Sequence, residues 1–169
     1  NRGRKLAGAI NSGMSAATTD FVALLLGDDE WAPQAIEVLK GAIQRHPDSD
    51  FFHSSRRYID ETGAFISSIY QSRQNVTLAD FRAGTPVKHL LCWRRSLAMQ
   101  FGGLDESLNS VGPDDFDFPW TMAEHGAVFQ SVDECLYHYR EHDECFRLTT
   151  ELPRSLHEKE IQRVLQKHG

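Results

Sequence analysis

The apolar positions of the chain follow two different periods, and their order predicts helices that alternate with strands. Helical spacing predicts helices over residues 4–14, 33–45, 96–101, 114–125 and about 153–168, with a short helix near 78–81. Alternating or continuous apolar runs predict strands over residues 21–26, 50–58, 64–70, 90–93, 128–132 and 135–139. This order of elements predicts an α/β fold in which helices flank a sheet.

The apolar run Phe21–Leu26 is continuous, which is typical of a strand buried on both faces in a parallel sheet. Gly27 then allows a turn, and Asp28 and Asp29 emerge beyond the strand's carboxyl end, where α/β sheets bind ligands. A hard cation such as Mg²⁺ or Mn²⁺ would relieve the repulsion between the two carboxylates. The alternative is that one of them caps the next helix. Pro33 suits the first turn of that helix, which leaves both carboxylates several residues upstream and favours a metal or ligand site.

Composition narrows the class of protein. A chain of 169 residues with 40% hydrophobic and 25% charged residues is expected to form a single globular domain. The net charge of -6 argues against a nonspecific nucleic-acid binder, and no apolar run is long enough for a transmembrane helix. Three cysteines without a Cys-x2-Cys pair indicate reduced thiols and a cytoplasmic location. Because the chain begins at Asn1 without methionine, we expect it to be a fragment of a longer domain.

Two further acidic clusters are predicted to lie in loops or at a helix start. They are Asp105-Glu106 and Asp114-Asp115-x-Asp117. Carboxylates at a helix start bond free amides and interact favourably with the helix dipole, so any one of the second cluster could serve only that purpose. Three carboxylates exceed what capping requires, so at least one is available for another task.

Two cysteines and two histidines near the C-terminus match the spacing of zinc ligands. They follow the pattern Cys135-x2-His138-x3-His142-x2-Cys145. If residues 135–139 form a strand, Cys135 and His138 point to opposite faces, which argues against a shared zinc site. Arg140 and His142 follow the end of that strand and could face an anion. The alternative is that both are ordinary polar residues of the surface.

Several short motifs follow one another along the chain. They are Asn1-x-Gly3, Ala9-Ile10-Asn11-Ser12-Gly13, Gly27-Asp28-Asp29, Trp31-x-Pro33, Arg94-Arg95-Ser96, Gly102-Gly103-Leu104-Asp105-Glu106, Asp114-Asp115-x-Asp117, Glu124-x-Gly126 and Tyr139-Arg140-x-His142. In this order and spacing the chain resembles the central and C-terminal part of a family 2 glycosyltransferase domain with the GT-A fold. The resemblance implies a GT-A-like mixed, mostly parallel sheet flanked by helices, with the N-terminal nucleotide-binding strands missing from this chain.

The resemblance also implies an activity. It implies an inverting glycosyltransferase that moves a sugar from a nucleotide-diphosphate sugar to a hydroxyl of a carbohydrate or lipid-linked acceptor. The expected pathway class is surface polysaccharide or glycoconjugate synthesis. The resemblance assigns Asp29 as the Mg²⁺ or Mn²⁺ ligand of a DxD-type motif, with Asp28 nearer the sugar or ribose. It assigns Asp115, or else Asp114, as the general base.

The remaining assignments concern substrate binding. Asp105 and Glu106 match a segment that lines the acceptor side in the family, and Asn11 lies in a matching motif. Arg140 and His142 are assigned to the donor's diphosphate, because cationic and hydrogen-bonding groups suit that role.

Three positions depart from the family pattern. Leu26 stands where the first acid of the DxD motif is usual, Thr121 replaces an arginine, and Pro119 interrupts the helix. These departures favour an alternative, a degenerate non-catalytic domain on the same fold that binds carbohydrate or protein. The expected location is cytoplasmic, at the inner membrane face if other parts of the protein carry it there.

Overall fold

The computed structural model describes residues 5–108, 114–141 and 153–169, apart from the side chain of His157. The helices are α1 (Lys5–Ala16), α2 (Ala35–Arg45), α3 (Arg95–Gln100), α4 (Asp114–Glu124) and α5 (Arg154–His168). The strands are β1 (Phe21–Leu24), β2 (Glu30–Trp31), β3 (Phe51–Ile59), β4 (Leu91–Arg94) and β5 (Phe129–Arg140). Short 3-10 helices cover Leu78–Ala83 and Glu106–Leu108. None of these helices is both long and apolar enough to cross a membrane.

The five strands form one mixed sheet in the order β1-β4-β3-β5-β2. Helices flank this sheet, so the predicted mixed α/β architecture is confirmed. The strand directions differ from the expectation of a mostly parallel sheet. Within the part of the chain that the structure describes, only β3 and β5 pair in parallel, and the other three pairs are antiparallel. A continuous apolar run reports burial on both faces rather than strand direction, which explains the difference.

The sheet separates two hydrophobic clusters. The cluster on one face contains Phe51, Trp93 and Phe118, and the Trp93 and Phe118 rings meet edge to face at 5.0 Å. The cluster on the other face contains Phe52 and Tyr137, which are both fully buried. Successive residues of β3 enter opposite clusters because side chains alternate along a strand. Each large side chain buried in this way contributes about 1.5–3 kcal/mol.

Strand β1 is less buried than the sequence predicts. All four of its residues are only half-buried, and Leu25, which follows the strand, is 45% exposed. Among the described residues β1 stands at the end of the sheet, where an open apolar groove of about 800 Å³ lies between α1, β1 and α2. Ile10, Val22 and Trp31 are among the side chains that line this groove.

Three predicted elements differ in extent. Residues 64–70 form only isolated bridges, which pair Phe65 with Ile59 and Tyr70 with Arg56. The two strands predicted over 128–139 are one strand, because β5 continues across an irregularity in its pairing with β3. The two-residue strand β2 is too short to show a period, so the sequence gives no signal for it.

The end of α5 is joined to α4 by a buried cluster of charged groups. The His168 ring lies 2.9 Å from the Asp117 carboxylate and 2.8 Å from Glu124, and it stacks on Trp120 with centroids 4.6 Å apart. The Lys167 ammonium lies 2.9 Å from the same Asp117 carboxylate. The side chains of His168 and Asp117 are only 1% and 2% exposed. The sequence predicts that Asp117 is engaged at the helix start, and these contacts show that α5 supplies its partners.

Replacing His168 tests how much this cluster stabilises the fold. His168→Ala removes a partner of a buried carboxylate and the stacking on Trp120, so we expect a loss of roughly 2–4 kcal/mol in the free energy of unfolding. Urea denaturation measures it. Arg154→Ala, at an exposed ion pair with Glu158 on the same helix, is the control and should change stability little. Equal effects of the two substitutions would contradict the role of the cluster.

Candidate active site

The carboxylate of Asp29 joins the acidic turn, residues 27–29 after β1, to strand β5. Its Oδ2 accepts a hydrogen bond from the Tyr137 hydroxyl at 2.6 Å, and its Oδ1 accepts one from the backbone N–H of Arg140 at 2.8 Å. Asp29 is 8% exposed. Burial raises the pKa of its carboxyl group, the two hydrogen bonds oppose this, and the charge of Asp28 adds to it. Asp29 is therefore held rigidly, and both oxygens already have a partner in the protein.

The preceding carboxylate has a different environment. The side chain of Asp28 is exposed, although it is adjacent to Asp29 in the chain. Neither residue caps α2, whose N-cap residue is Gln34. The alternative explanation of the acidic pair as a helix cap is therefore excluded, and Asp28 faces solvent beside the rigid turn.

Arg140 acts as a link between three segments. Its guanidinium donates hydrogen bonds to the carbonyl oxygens of Asp28 at 2.9 Å, Asp60 at 2.8 Å and Glu61 at 3.2 Å, and it forms an ion pair with Glu30. These contacts connect the acidic turn, the end of β3 and the end of β5. The predicted diphosphate contact by Arg140 thus competes with a structural use of the same donors. Its predicted companion His142 lies outside the described residues.

Asn11 contacts the loop that contains Asp105 and Glu106. The Asn11 amide exchanges two hydrogen bonds with the backbone of Leu104, at 2.8 and 2.9 Å, and donates a third to Glu106 at 3.1 Å. Gly103 has a φ of 81°, and a Cβ there would overlap the Asn11 side chain. Asn11 therefore anchors the loop that contains Gly102 and Gly103. The substrate contact predicted for Asn11 competes with this structural role.

Asp105 belongs to the same loop. It accepts hydrogen bonds from the Ser107 N–H at 2.9 Å and from the Lys167 ammonium at 3.1 Å. Burial raises the pKa of its carboxyl group, but the bonds from Ser107 and Lys167 outweigh this and leave the pKa lowered. Asp105 is therefore an ionised partner of α5.

The two candidate bases at the start of α4 differ in burial. Asp114 is 9% exposed, whereas the side chain of Asp115 is exposed. Burial, followed by the charges of Asp115 and Asp117, raises the pKa of Asp114 to about 7. That value suits a general base near neutral pH, so Asp114 is a strong rival to Asp115.

A short segment, residues 85–89, connects the start of α4 to the acidic turn. The Thr85 hydroxyl lies 3.5 Å from the backbone carbonyl of Asp115, and four residues later the His89 ring contacts Tyr137 with centroids 5.2 Å apart. Tyr137 in turn holds Asp29. Four residues span at most about 14 Å, so this segment links the start of α4 to the residue that holds Asp29 over a short distance.

Sequence reasoning missed Tyr137 and His89 as parts of this site. Tyr137 occurs inside an apolar strand pattern, where an aromatic residue is ordinarily part of the core. A buried tyrosine needs a hydrogen-bond partner, which is the available signal, but the sequence does not identify Asp29 as that partner.

Comparison with known proteins places the chain in a family. A sequence model described as Glycosyl transferase family 2 matches residues 1–97, which is more than half of the chain. The chain belongs to glycosyl transferase family 2. No curated protein sequence matches it significantly.

Solved structures of S. aureus TarS share the fold of this family 2 chain. The complex of TarS 1-349 with UDP-GlcNAc aligns with a TM-score of 0.72 at 14% identity, covering 96% of this chain and 46% of that chain. The complex with UDP aligns with a TM-score of 0.64 at 17% identity, covering 98% of this chain and 52% of that chain. The family 2 chain described here therefore spans about half the length of these neighbours.

The predicted metal site has few side chains that could coordinate a cation. Among the described residues of the chain, no group of three or more His, Cys, Asp or Glu side chains could hold a metal ion. Mg²⁺ is commonly bound by one or two carboxylates together with substrate phosphates. Asp28 and Asp29 fit that kind of partial site. Of the four residues in the zinc pattern, His142 and Cys145 lie outside the described residues, and Cys135 has a free thiol.

The raised pKa of Asp114 predicts a pH dependence of stability. The carboxyl group ionises near pH 4 in the unfolded chain and near pH 7 in the folded one, so rising pH destabilises the fold between these values. Asp114→Asn removes this penalty and should stabilise the protein at pH 8 by on the order of 2–4 kcal/mol. Near pH 4.5 the gain should be much smaller. Urea denaturation across this range measures it, with Asp115→Asn as the exposed control, and a pH-independent difference would contradict the assignment.

Proposed function

We propose that the protein is an inverting glycosyltransferase that moves a sugar from a nucleotide-diphosphate sugar to an acceptor hydroxyl. One observation carries the proposal: in a family 2 chain, the segment from Thr85 to His89 contacts Asp115 at the start of α4 at one end and Tyr137, which holds Asp29, at the other. This link supports a site that combines a donor-side carboxylate pair with a candidate base. Single-displacement transfer requires that combination.

A nucleotide-sugar donor is supported by the ligands of the structural neighbours. The titles of the TarS structures name UDP and UDP-GlcNAc as bound ligands. For this chain we propose a nucleotide-diphosphate sugar as the donor, without assigning the sugar. The proposed acceptor is a carbohydrate or lipid-linked hydroxyl in surface polysaccharide or glycoconjugate synthesis.

The chemical step needs a base for the acceptor hydroxyl. Asp115 is exposed on the first turn of α4, where a substrate hydroxyl can approach it. It takes the proton as the hydroxyl oxygen attacks the anomeric carbon, and the bond to the diphosphate breaks on the opposite face. Attack from the face opposite the leaving group inverts the anomeric configuration. Asp114, with its raised pKa, is the alternative base.

The departing diphosphate carries negative charge that must be neutralised. Asp28 and Asp29 would hold Mg²⁺ or Mn²⁺ together with the diphosphate oxygens. When bound, such a cation supplies Lewis-acid stabilisation of the leaving group. The contribution of the chain itself is to fix the turn, through the contacts of Asp29 with Tyr137 and Arg140.

A second candidate function is a non-catalytic domain that binds carbohydrate or protein. It is favoured by the structural use of Asp29 and Arg140, whose polar atoms contact other parts of the protein. The departures at Leu26, Pro119 and Thr121 support it further. Either function is compatible with a cytoplasmic location, which the free thiols of Cys92 and Cys135 support.

Substitution of the two candidate bases distinguishes these functions. Asp115→Asn preserves the size of the side chain but cannot accept the proton, so turnover should fall about 10²-fold or more. Asp114→Asn should have the smaller effect. The measurement is release of nucleotide diphosphate from nucleotide-sugars by the full-length protein. A larger loss in Asp114→Asn would move the base by one residue, and the absence of turnover in the unmodified protein would favour the binding domain.

The metal assignment makes a separate prediction. Asp29→Asn should abolish Mn²⁺- or Mg²⁺-dependent transfer while the fold survives, because the amide can still bond Tyr137 and the Arg140 N–H. Asp28→Asn should reduce transfer less. Transfer is measured against metal concentration after treatment with chelator, with the melting temperature as the control for folding. Transfer by Asp29→Asn at the unmodified rate would refute this assignment.

A further inference from the structure

The carboxyl ends of β3 and β5 present a set of polar and aromatic side chains on one face of the sheet. Arg56 pairs with Tyr137 and Tyr58 pairs with Tyr139 in the parallel register, so these four side chains share a face. The Arg56 guanidinium carbon lies 5.6 Å from the centroid of the Tyr58 ring and 5.7 Å from that of Tyr139. The aromatic rings therefore fix the position of the Arg56 guanidinium group.

This guanidinium has no carboxylate partner among the residues that the structure describes. Its Nε is buried and makes no hydrogen bond, and its contact with the Tyr58 hydroxyl at 3.5 Å is long. By contrast, Arg73, Arg94 and Arg163 each form an ion pair. Arg56 is therefore a half-buried cation without an ion pair in the described part of the chain, an arrangement that costs free energy.

Two further basic side chains are close enough to Arg56 for its charge to affect their pKa values, and one of them, His89, contacts Tyr137, the strand partner of Arg56. Burial, followed by the charge of Arg56, lowers the pKa of Lys88, and the same two causes lower the pKa of His89 to about 4. His89 is therefore neutral at pH 7 and contacts Tyr137, the residue that holds Asp29. Lys88 makes no ion pair within the described part of the chain. Arg56 and Lys88 thus bring two positive charges into one region, and neither forms an ion pair with a described carboxylate.

We propose that Arg56, Lys88 and His89 form a binding site for a phosphate group of a transferase substrate. Arg56 presents a planar set of donors, Lys88 a point charge, and neutral His89 a single N–H, which together suit the oxygens of a phosphate group. The phosphate belongs either to the diphosphate of the donor or to a phosphate carried by the acceptor. The identity of these substrates rests on the proposed function, but the anion site itself does not.

The chain supplies a matched control in the next residue. Arg57 has the same charge as Arg56 but points to the opposite face of β3, where its guanidinium carbon lies 3.3 Å from the centroid of the Phe65 ring. Its Nε is also buried without a hydrogen bond. Arg57→Gln therefore removes one positive charge from the same strand as Arg56→Gln does, but it leaves the proposed site intact.

Calorimetric titration of the full-length protein with inorganic phosphate tests the site, at fixed ionic strength in a phosphate-free buffer. Arg56→Gln and Lys88→Gln should each weaken phosphate binding about tenfold or more, because each removes a charge-assisted contact. Arg57→Gln should change it less than about twofold. Unmeasurable phosphate binding by the unmodified protein, or equal losses in Arg56→Gln and Arg57→Gln, would overturn the proposal. Melting temperatures establish that the variants fold.

A second titration identifies the source of the phosphate group. In protein saturated with UDP, loss of phosphate binding assigns the site to the donor's diphosphate, whereas unchanged binding assigns it to an acceptor phosphate. Both results support the anion site. The proposed function fails separately: phosphate binding that depends on Arg56 in a protein without glycosyl transfer would retain the site and reject the transferase.

Discussion

The position of the acidic turn depends on the buried carboxylate of Asp29. Burying a carboxylate is costly, and the hydrogen bonds from Tyr137 and the backbone of Arg140 offset that cost while fixing the turn against β5. Loss of the carboxylate would remove the acceptor that the Tyr137 O–H and the Arg140 N–H now share. The exposed position of Asp28 follows from this attachment, because the two residues are adjacent. The proposed role at the donor phosphates would therefore use the same few atoms that fix the turn.

The start of α4 shows that burial and partners distinguish carboxylates that the sequence presents as equivalent. Asp117 is buried but contacts the Lys167 ammonium and the His168 ring of α5, whereas Asp114 is buried and its pKa is raised to about 7. Asp115 is exposed to solvent. A structural acid, an acid that titrates near neutral pH and an accessible acid thus occur within four residues. Only the last two can exchange a proton with a substrate under physiological conditions.

Local patterns predicted most elements, but they could not predict long-range partners. Helical periodicity located α1, α2 and α5, because each buries one face. The antiparallel direction of β1 could not be predicted, since a continuous apolar run contains no information on the direction of the strand or on its half-buried position. The roles of Asn11 and Arg140 were missed for a related reason. Each contacts residues about 80 to 112 positions away, and residue type alone does not reveal such contacts.

The positive charges of Arg56 and Lys88 support substrate binding more directly than the acidic motifs do. The acidic turn can be explained by structure alone, because Asp29 and Arg140 are used to join β5 to its neighbours. Arg56 packs against two tyrosine rings, but its buried Nε lacks a hydrogen bond and its charge lowers the pKa of Lys88. Unfavourable electrostatics of this kind reduce stability and are relieved when an anion binds.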